Sequence, residues 1–555
     1  MKGYSAFDPL DTPLEGANLI EASAGTGKTY AITGLFLRLL LEKDLAVHQI
    51  LVVTFTEAAT DELKDRIRSK IRAAIGAFQD GRSEDSLIQK LVKKHPSRPK
   101  ALSTLREALR SFDEAAIFTI HGFCRRTLHE NAFESGSLFD TELVTDPSDI
   151  LQENVEDFWR RHLYEASPLF VNYALDKKFT LSDLYVLLSL KIKQPLLKII
   201  PGLAEVDTNP KEKAFRQSFS LIREAWPSAT VEVREILTSY EGLNKAKYKP
   251  SSAELWIEEM NDLVEYGENR PGLFPEFKRF SRGEIEKGTK KGYSPPSHSF
   301  FDLCENLLRT REELAQVFER RLLHLKALLI SEAEKDLSAR KMQKNIQTFD
   351  DLLLSLQMAL AGRGGTDLSL AVTRKYKAAL IDEFQDTDPV QYFIFRSIFD
   401  REGSTLFLVG DPKQAIYGFR GADIFAYMEA AEKIHTRYTL TKNWRSEPRL
   451  IKAVNTLFSN SELPFVYEKI GFQPAFAAEK KEPEIFKIDG NQDPALQIWY
   501  MDPEKWAGQE GVINKRVALA EIPGLVASEI CRLLNLGQEG KAHIGERTLR
   551  AQDIA

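Results

Sequence analysis

Two short strings, far apart in the chain, restrict its fold most. Residues 22–29 read Ala22-Ser23-Ala24-Gly25-Thr26-Gly27-Lys28-Thr29, and about 350 residues later an apolar run, Ala378-Ala379-Leu380-Ile381, ends in Asp382-Glu383. The first string follows a predicted strand at Leu19–Ala22 and opens a predicted helix at Thr29–Leu41, with Ile32, Leu35, Phe36, Leu39 and Leu40 at helical spacing. Glycine at 25 and 27 lets the backbone curl so that its N–H groups face one anion, and the helix start adds its positive dipole end. Such a loop suits a nucleoside triphosphate, with Lys28 on the β- and γ-phosphates and Thr29 on magnesium. The standard pattern has glycine at its first position, where this chain has Ala22. Two adjacent carboxylates at a strand tip supply the remaining chemistry. Asp382 is expected to ligate magnesium, and Glu383 to act as general base toward the attacking water. If both strings build one site, a large insertion separates its halves.

The surrounding texture agrees with that division. Ile50–Phe55 is a fully apolar stretch until Thr54, as a buried parallel strand should be. Ala58–Ala77 reads as a helix, and Ala116–Ile120 as another short strand. From 146 to 345 long amphipathic stretches such as Ile150–Tyr164 and Thr310–Glu334 predict a mostly helical insertion. Within it, 270–300 is rich in Pro, Gly, Lys and Arg and reads as a mobile loop. Its basic residues between Lys278 and Lys291, with Phe277, Phe280 and Tyr293 nearby, read as a solvated face, with contact to duplex DNA as the alternative. Strand–helix alternation resumes at Ala378–Ile381, Val390–Phe399 and Thr405–Val409. A further α/β texture begins near Tyr438, with a strand expected at Leu496–Tyr500 and a helix at Ile522–Leu534 carrying Pro523 in its first turn. The fold class is therefore α/β, with a parallel sheet interrupted by a helical insertion. The predicted divisions are 1–145, 146–345, 346–438 and 439–555.

Three other strand ends carry polar and aromatic residues. Thr54-Phe55-Thr56 and Thr119-Ile120-His121 offer hydroxyls, an imidazole and a stacking ring. Residues 406–423, LFLVGDPKQAIYGFRGAD, end a strand and place Gln414 where an amide can sense the γ-phosphate, followed by Tyr417, Phe419 and Arg420. Aromatic platforms with polar backbone contacts make a path for single-stranded nucleic acid that reads no sequence. Core packing is the competing account for each aromatic. The net charge of −6 gives such binding no general support. The three cysteines, Cys124, Cys304 and Cys531, lack the spacing of a metal site or a disulfide framework. No apolar run reaches the roughly 18 residues of a membrane span, and the first residues lack a secretory apolar core, so a cytoplasmic location is expected.

AGTGKT, LVVTFTEAATDEL, FTIHGFC, LIDEFQDTDPVQ, LVGDPKQAIYGFRGAD and LTKNWRS stand in the order and form of superfamily 1 DNA helicases of the UvrD/Rep class. The longer strings LIEASAGTGKT, FTIHGFCRR, DEFQDTDPVQY and DPKQAIYGFRGADIF resemble the RecB-type helicase–nuclease subunits, with AddA-type proteins as near neighbours. The resemblance implies a RecA-like P-loop domain, a helical insertion and the beginning of a second RecA-like domain. It implies ATP-driven movement 3′ to 5′ on single-stranded DNA, ATP and Mg2+ as ligands, duplex ends as substrate, and RecC-like and RecD-like partner subunits in double-strand break repair and recombination. It also implies that Arg445 of KNWRS acts as an arginine finger and that Trp444 stacks on adenine, where many relatives carry Tyr. A buried core aromatic is the other account of Trp444. The segment before the phosphate loop lacks the glutamine with which many relatives read adenine. The final Asp553-Ile554-Ala555 reads as the start of a strand, so an N-terminal piece without the family's second arginine or nuclease domain is expected. A non-catalytic ATP-gated clamp or scaffold, or a P-loop ATPase of another class, remain as competing readings.

Overall fold

The computed structural model describes residues 4–135, 141–193, 197–200, 204–418, 421–479, 485–506 and 511–555. Its main sheet has seven strands: β1 (Ser5–Ala6), β2 (Gly16–Ala22), β3 (Ile50–Thr54), β4 (Ile117–Thr119), β5 (Ala378–Ile381), β6 (Thr405–Gly410) and β7 (Thr436–Leu440). Their order across the sheet is β1-β7-β2-β6-β5-β3-β4, and every pairing is parallel. β3, β5 and β6 are buried along their whole length, which explains their unbroken apolar sequences. Val53 pairs with Ile381, Ile381 with Leu408, and Glu21 with Gly410. The carboxyl ends of β2, β3, β5 and β6 therefore lie side by side, although they come from both sides of the long insertion. A crevice at the carboxyl ends of parallel strands is where such sheets bind ligands.

Helices cover this sheet. Lys28–Glu42 buries every residue from Ala31 to Leu40. Glu57–Asp80 starts where the Thr56 hydroxyl accepts from Ala59 N, and buries Thr60, Leu63, Ile67, Ile71 and Ala74 on one stripe. β7 joins the same sheet through β1 and β2, so this sheet extends to Leu440, past the expected change of texture at Tyr438.

The chain divides into two compact units, Met1–Phe139 with Asp350–Ala555, and Asp140–Phe349. The second unit is mostly helical. Its two ends pair as short parallel strands, Glu142–Leu143 with Ile346–Gln347, and its longest helix is Ser299–Lys344. Phe215, Phe219, Trp226, Phe277, Phe280 and Phe300 pack in its core. Residues 270–300 do not behave as one open loop. Phe277–Phe280 forms a 3-10 turn with both phenylalanines buried, and Arg282–Gly288 is helical. Arg282 pairs with Glu286 and Asp302, and Lys287 with Glu284. Buried aromatic anchors outweigh the Gly, Pro and Lys content that suggested mobility.

Beyond Leu440 three sequence expectations need correction. Leu496–Tyr500 is not a strand, and Ile498 and Tyr500 are 78% and 81% exposed. Among the described residues it pairs with no strand. The helix expected at Ile522–Leu534 runs from Lys515 to Gln538, starting where Asn514 accepts from Val517 N at 3.0 Å. Pro523 therefore lies inside the helix and not in its first turn. Small pairings complete this part: Lys442–Asn443 with Phe476–Ala477, and an antiparallel set of Phe486–Ile488, Ala542–Ile544 and Arg547–Thr548. Ala551–Asp553 is a 3-10 turn where the sequence suggested a strand start.

Candidate functional site

The loop after β2 has the backbone that its glycines anticipate. Gly25 and Gly27 adopt φ of 74° and 96°, and Thr26 donates through both its amide and its hydroxyl to the Ser23 carbonyl, at 3.1 and 2.7 Å. Ala22 is buried as the last residue of β2, and Ser23 and Ala24 carry the chain into the turn. Helix Lys28–Glu42 begins with no side-chain cap, which leaves its first amides directed into the turn for an anion.

The acidic edge lies beside it. Lys28 Nζ is 2.5 Å from Glu383 Oε2, a contact between residues 355 apart in sequence. Glu383 is left-handed at φ 50°, and its amide donates to Asp382 Oδ1 at 2.9 Å. This turn reverses the chain and sets both carboxylates on one edge. Burial, then the neighbouring Glu383 carboxylate, pushes the Asp382 carboxyl up to about 6. The same two causes raise Asp386 to about 6, and its Oδ1 is buried without a hydrogen-bond partner. Asp382, Glu383 and Asp386 thus crowd one edge, with Lys28 on Glu383. Carboxylate and hydroxyl oxygens are the donors that a hard divalent cation takes, and Thr29 and Asp382 line the same cleft. A cleft of about 560 Å³ is lined by Thr29, Asp382, Glu383, Asp386, Lys413 and Gln414, together with Phe55, Thr56 and Tyr417.

The loop after β6 supplies the third wall. Gln414 Nε2 donates to Asp411 Oδ2 at 2.6 Å. Lys413 Nζ sits 2.7 Å from Asp411 Oδ1 and 2.5 Å from Glu21 Oε1, with all three side chains largely buried. Tyr417 stacks on Phe55 with centroids 5.8 Å apart and planes at 23°. Phe419 and Arg420 lie outside the described residues. Thr54 is buried, and its hydroxyl is engaged with Thr60 Oγ1 and the Thr56 carbonyl. Thr119 donates to Glu57 Oε1 and accepts from Gly122 N. These two hydroxyls therefore serve the fold, since each caps or braces the start of a helix. Thr56 is exposed, and Phe55 and His121 are half-buried at adjacent strand ends. Burial lowers the His121 pKa, which favours the neutral ring.

Residues 442–446 dock on the phosphate loop through an asparagine that the sequence reading passed over. Asn443 is buried. Its Nδ2 donates to the Ala24 carbonyl at 2.9 Å, and its Oδ1 accepts from the amides of Arg445 and Ser446, both at 2.9 Å. Trp444 N donates to the Gly25 carbonyl at 2.8 Å. A Cβ on Gly25 would stand 2.7 Å from Arg445 Cβ. Arg445 is thus brought against the turn that would hold the phosphates. Trp444 is 55% exposed, with Lys442 Nζ 5.0 Å from its ring centroid, so it is not a core aromatic. In the sequence Asn443 stands within KNWRS, and nothing local marks it as the residue that holds this segment to the phosphate loop. Among the described residues no helix is long and apolar enough to cross a membrane.

Comparison with known proteins joins these features to a family. The UvrD/REP helicase N-terminal domain matches residues 8–435. The RecBCD enzyme subunit RecB of Escherichia coli K12 is 37% identical over 566 aligned positions, covering 99% of this chain and 46% of that protein. The Haemophilus influenzae RecB is 32% identical, over 99% of this chain and 48% of its own length. The Mycobacterium tuberculosis H37Rv RecB is 28% identical, over 83% and 31% respectively. The chain therefore spans about half the length, or less, of these curated relatives. With the phosphate loop, the acidic strand end and the domain match in agreement, the chain belongs to the UvrD/REP helicase family.

Proposed function

We propose that this chain is the ATP-binding motor part of a RecB-type DNA helicase that moves 3′ to 5′ on single-stranded DNA. The whole protein would act in the cytoplasm on duplex ends, with RecC-like and RecD-like partners, in the helicase–nuclease processing of double-strand breaks. The residues from 441 onward would begin a second RecA-like domain that opens and closes on the nucleotide. The observation that carries the reading is the 2.5 Å contact of Lys28 with Glu383, made across the sheet from two distant parts of the chain.

ATP is the substrate. Its phosphates would replace Glu383 as the partner of Lys28, with the open amides of helix Lys28–Glu42 around them. Thr29 and Asp382 would hold Mg2+, which when bound neutralises charge on the β- and γ-phosphates. Release from Lys28 leaves the Glu383 carboxylate able to accept a proton from water. Gln414 would leave Asp411 to contact the γ-phosphate, and Arg445 would add positive charge as that group separates. Trp444 offers an exposed ring for the base. Phe55, Thr56 and Tyr417, which line the same cleft, with His121 at the neighbouring strand end, form the proposed DNA track.

The motor reading is preferred to a clamp or scaffold because Lys28 contacts Glu383, and Glu383, Asp382 and Gln414 line one cleft. The test uses Lys28→Ala and Glu383→Gln in the intact protein, with nucleotide binding and DNA-stimulated phosphate release measured separately. Both variants should lose turnover. Lys28→Ala should also bind nucleotide weakly, whereas Glu383→Gln should bind normally. Unchanged turnover in Glu383→Gln overturns the assignment of the base.

A further inference from the structure

We infer that Gln385 is a positioning residue that holds the Glu383 carboxylate and joins it to the phosphate-sensing loop. The inference rests on the reading of Glu383 as general base. Gln385 is buried, in the 3-10 turn Phe384–Asp386 that follows the two carboxylates. Its Oε1 accepts from the backbone amide of Asp411 at 2.9 Å. An amide N–H can only donate, so this contact fixes which end of the side chain is oxygen. The Nε2 group must then face the other way, and it donates to Glu383 Oε2 at 2.7 Å and to Asp386 Oδ2 at 3.2 Å.

Packing enforces the same orientation. Gly410, the last residue of β6, would bring a Cβ to 2.6 Å from Gln385 Oε1 and 3.0 Å from its backbone nitrogen. Only glycine lets the sensor strand approach this closely. The result is a continuous line of contacts: Glu383 to Gln385, Gln385 to Asp411, and Asp411 to Gln414. Lys28 and Gln385 both donate to the same carboxylate oxygen of Glu383. Lys28 cannot serve the phosphates and Glu383 equally, so it loosens from the carboxylate when nucleotide enters. Gln385 then becomes the side-chain donor that keeps Glu383 aimed into the cleft. Any displacement of Asp411 as Gln414 changes partner is passed to the base through the Gln385 amide.

The test compares Gln385→Met and Gln385→Glu with Glu383→Gln in the intact protein, using ATP with oligo(dT) as the stimulating strand. Methionine keeps the length without the hydrogen bonds, and glutamate keeps an acceptor but loses the donor. Steady-state phosphate release gives kcat and KM, and a fluorescent ATP analogue gives nucleotide affinity. Both Gln385 variants should lose about tenfold or more in kcat, with KM and nucleotide affinity within about threefold of the parent. Combined with Glu383→Gln, Gln385→Met should leave nucleotide affinity as it is in the single Glu383 variant. Normal kcat in Gln385→Met, with Glu383→Gln inactive, overturns the inference. So does a loss of affinity that persists in the double variant, because that marks a merely structural role. Full turnover in Glu383→Gln would instead remove the base assignment itself, and the inference with it.

Discussion

Replacing Asp382 by Asn should stabilise the nucleotide-free protein while removing its activity. The carboxyl sits at the tip of β5, recessed in the cleft beside Glu383, and is raised from its ordinary 3.8 to about 6. Ionising a group so displaced costs the folded state about 3 kcal/mol at pH 8. Water in the cleft screens part of that, so a gain of about 1–3 kcal/mol is expected for the neutral amide. Asparagine keeps an Oδ1 that can accept from Glu383 N, so the turn survives. The sign follows from the two pKa values. The unfolded chain gives up this proton near 3.8 and the folded chain near 6. The stability contributed by the protonated form is complete below about pH 4 and is lost as pH rises through 6. Urea unfolding of both proteins, without nucleotide or divalent ions, should therefore show the full difference at pH 8 and little at about pH 4. ATP hydrolysis by the variant should be absent at either pH. Equal stabilities at pH 8, or a less stable variant, would refute the argument that Asp382 is held ionised against its surroundings.

Three further outcomes are expected. Phe55→Ala, which removes the partner of Tyr417, should weaken single-stranded DNA binding by about 1–3 kcal/mol with little dependence on sequence, read by fluorescence anisotropy with dT and mixed oligonucleotides. Gly25→Ala should lose nucleotide affinity, because the turn holds φ at 74° and the new Cβ would meet Arg445 Cβ at 2.7 Å; calorimetric titration with ATP checks this. Asn443→Ala should strand the Ala24 carbonyl and the amides of Arg445 and Ser446. The expected cost is about 1–3 kcal/mol in stability, with ATP turnover reduced more than ATP binding. Denaturation and phosphate-release measurements on one preparation separate the two effects.

The central strands and the two halves of the nucleotide site were legible because buried parallel strands are written as local apolar runs. β5, predicted at Ala378–Ile381, has those bounds, and the helix expected at Thr29–Leu41 is Lys28–Glu42. Failures came where a decision depended on a partner distant in sequence. Leu496–Tyr500 has strand composition, but among the described residues no strand pairs with it. Phe277 and Phe280 lie in a stretch that reads as loop, and their burial in an aromatic core decided otherwise.

The same division applies to the site. By itself the sequence determined which residue types could bind a triphosphate and activate water, since Gly-rich curvature, a lysine and a strand-end carboxylate pair are local properties of the chain. It also determined the family, through the order of its strings. Only the tertiary structure decided which hydroxyls remain available, turning Thr54 toward Thr60 and Thr119 toward Glu57. Only it brought forward Gln385 and Asn443, whose roles lie in hydrogen bonds to Asp411 and Ala24 on other strands and loops. A side chain's chemistry is encoded where it stands, whereas its partners are set by the parallel register that places the ends of β2, β3, β5 and β6 together.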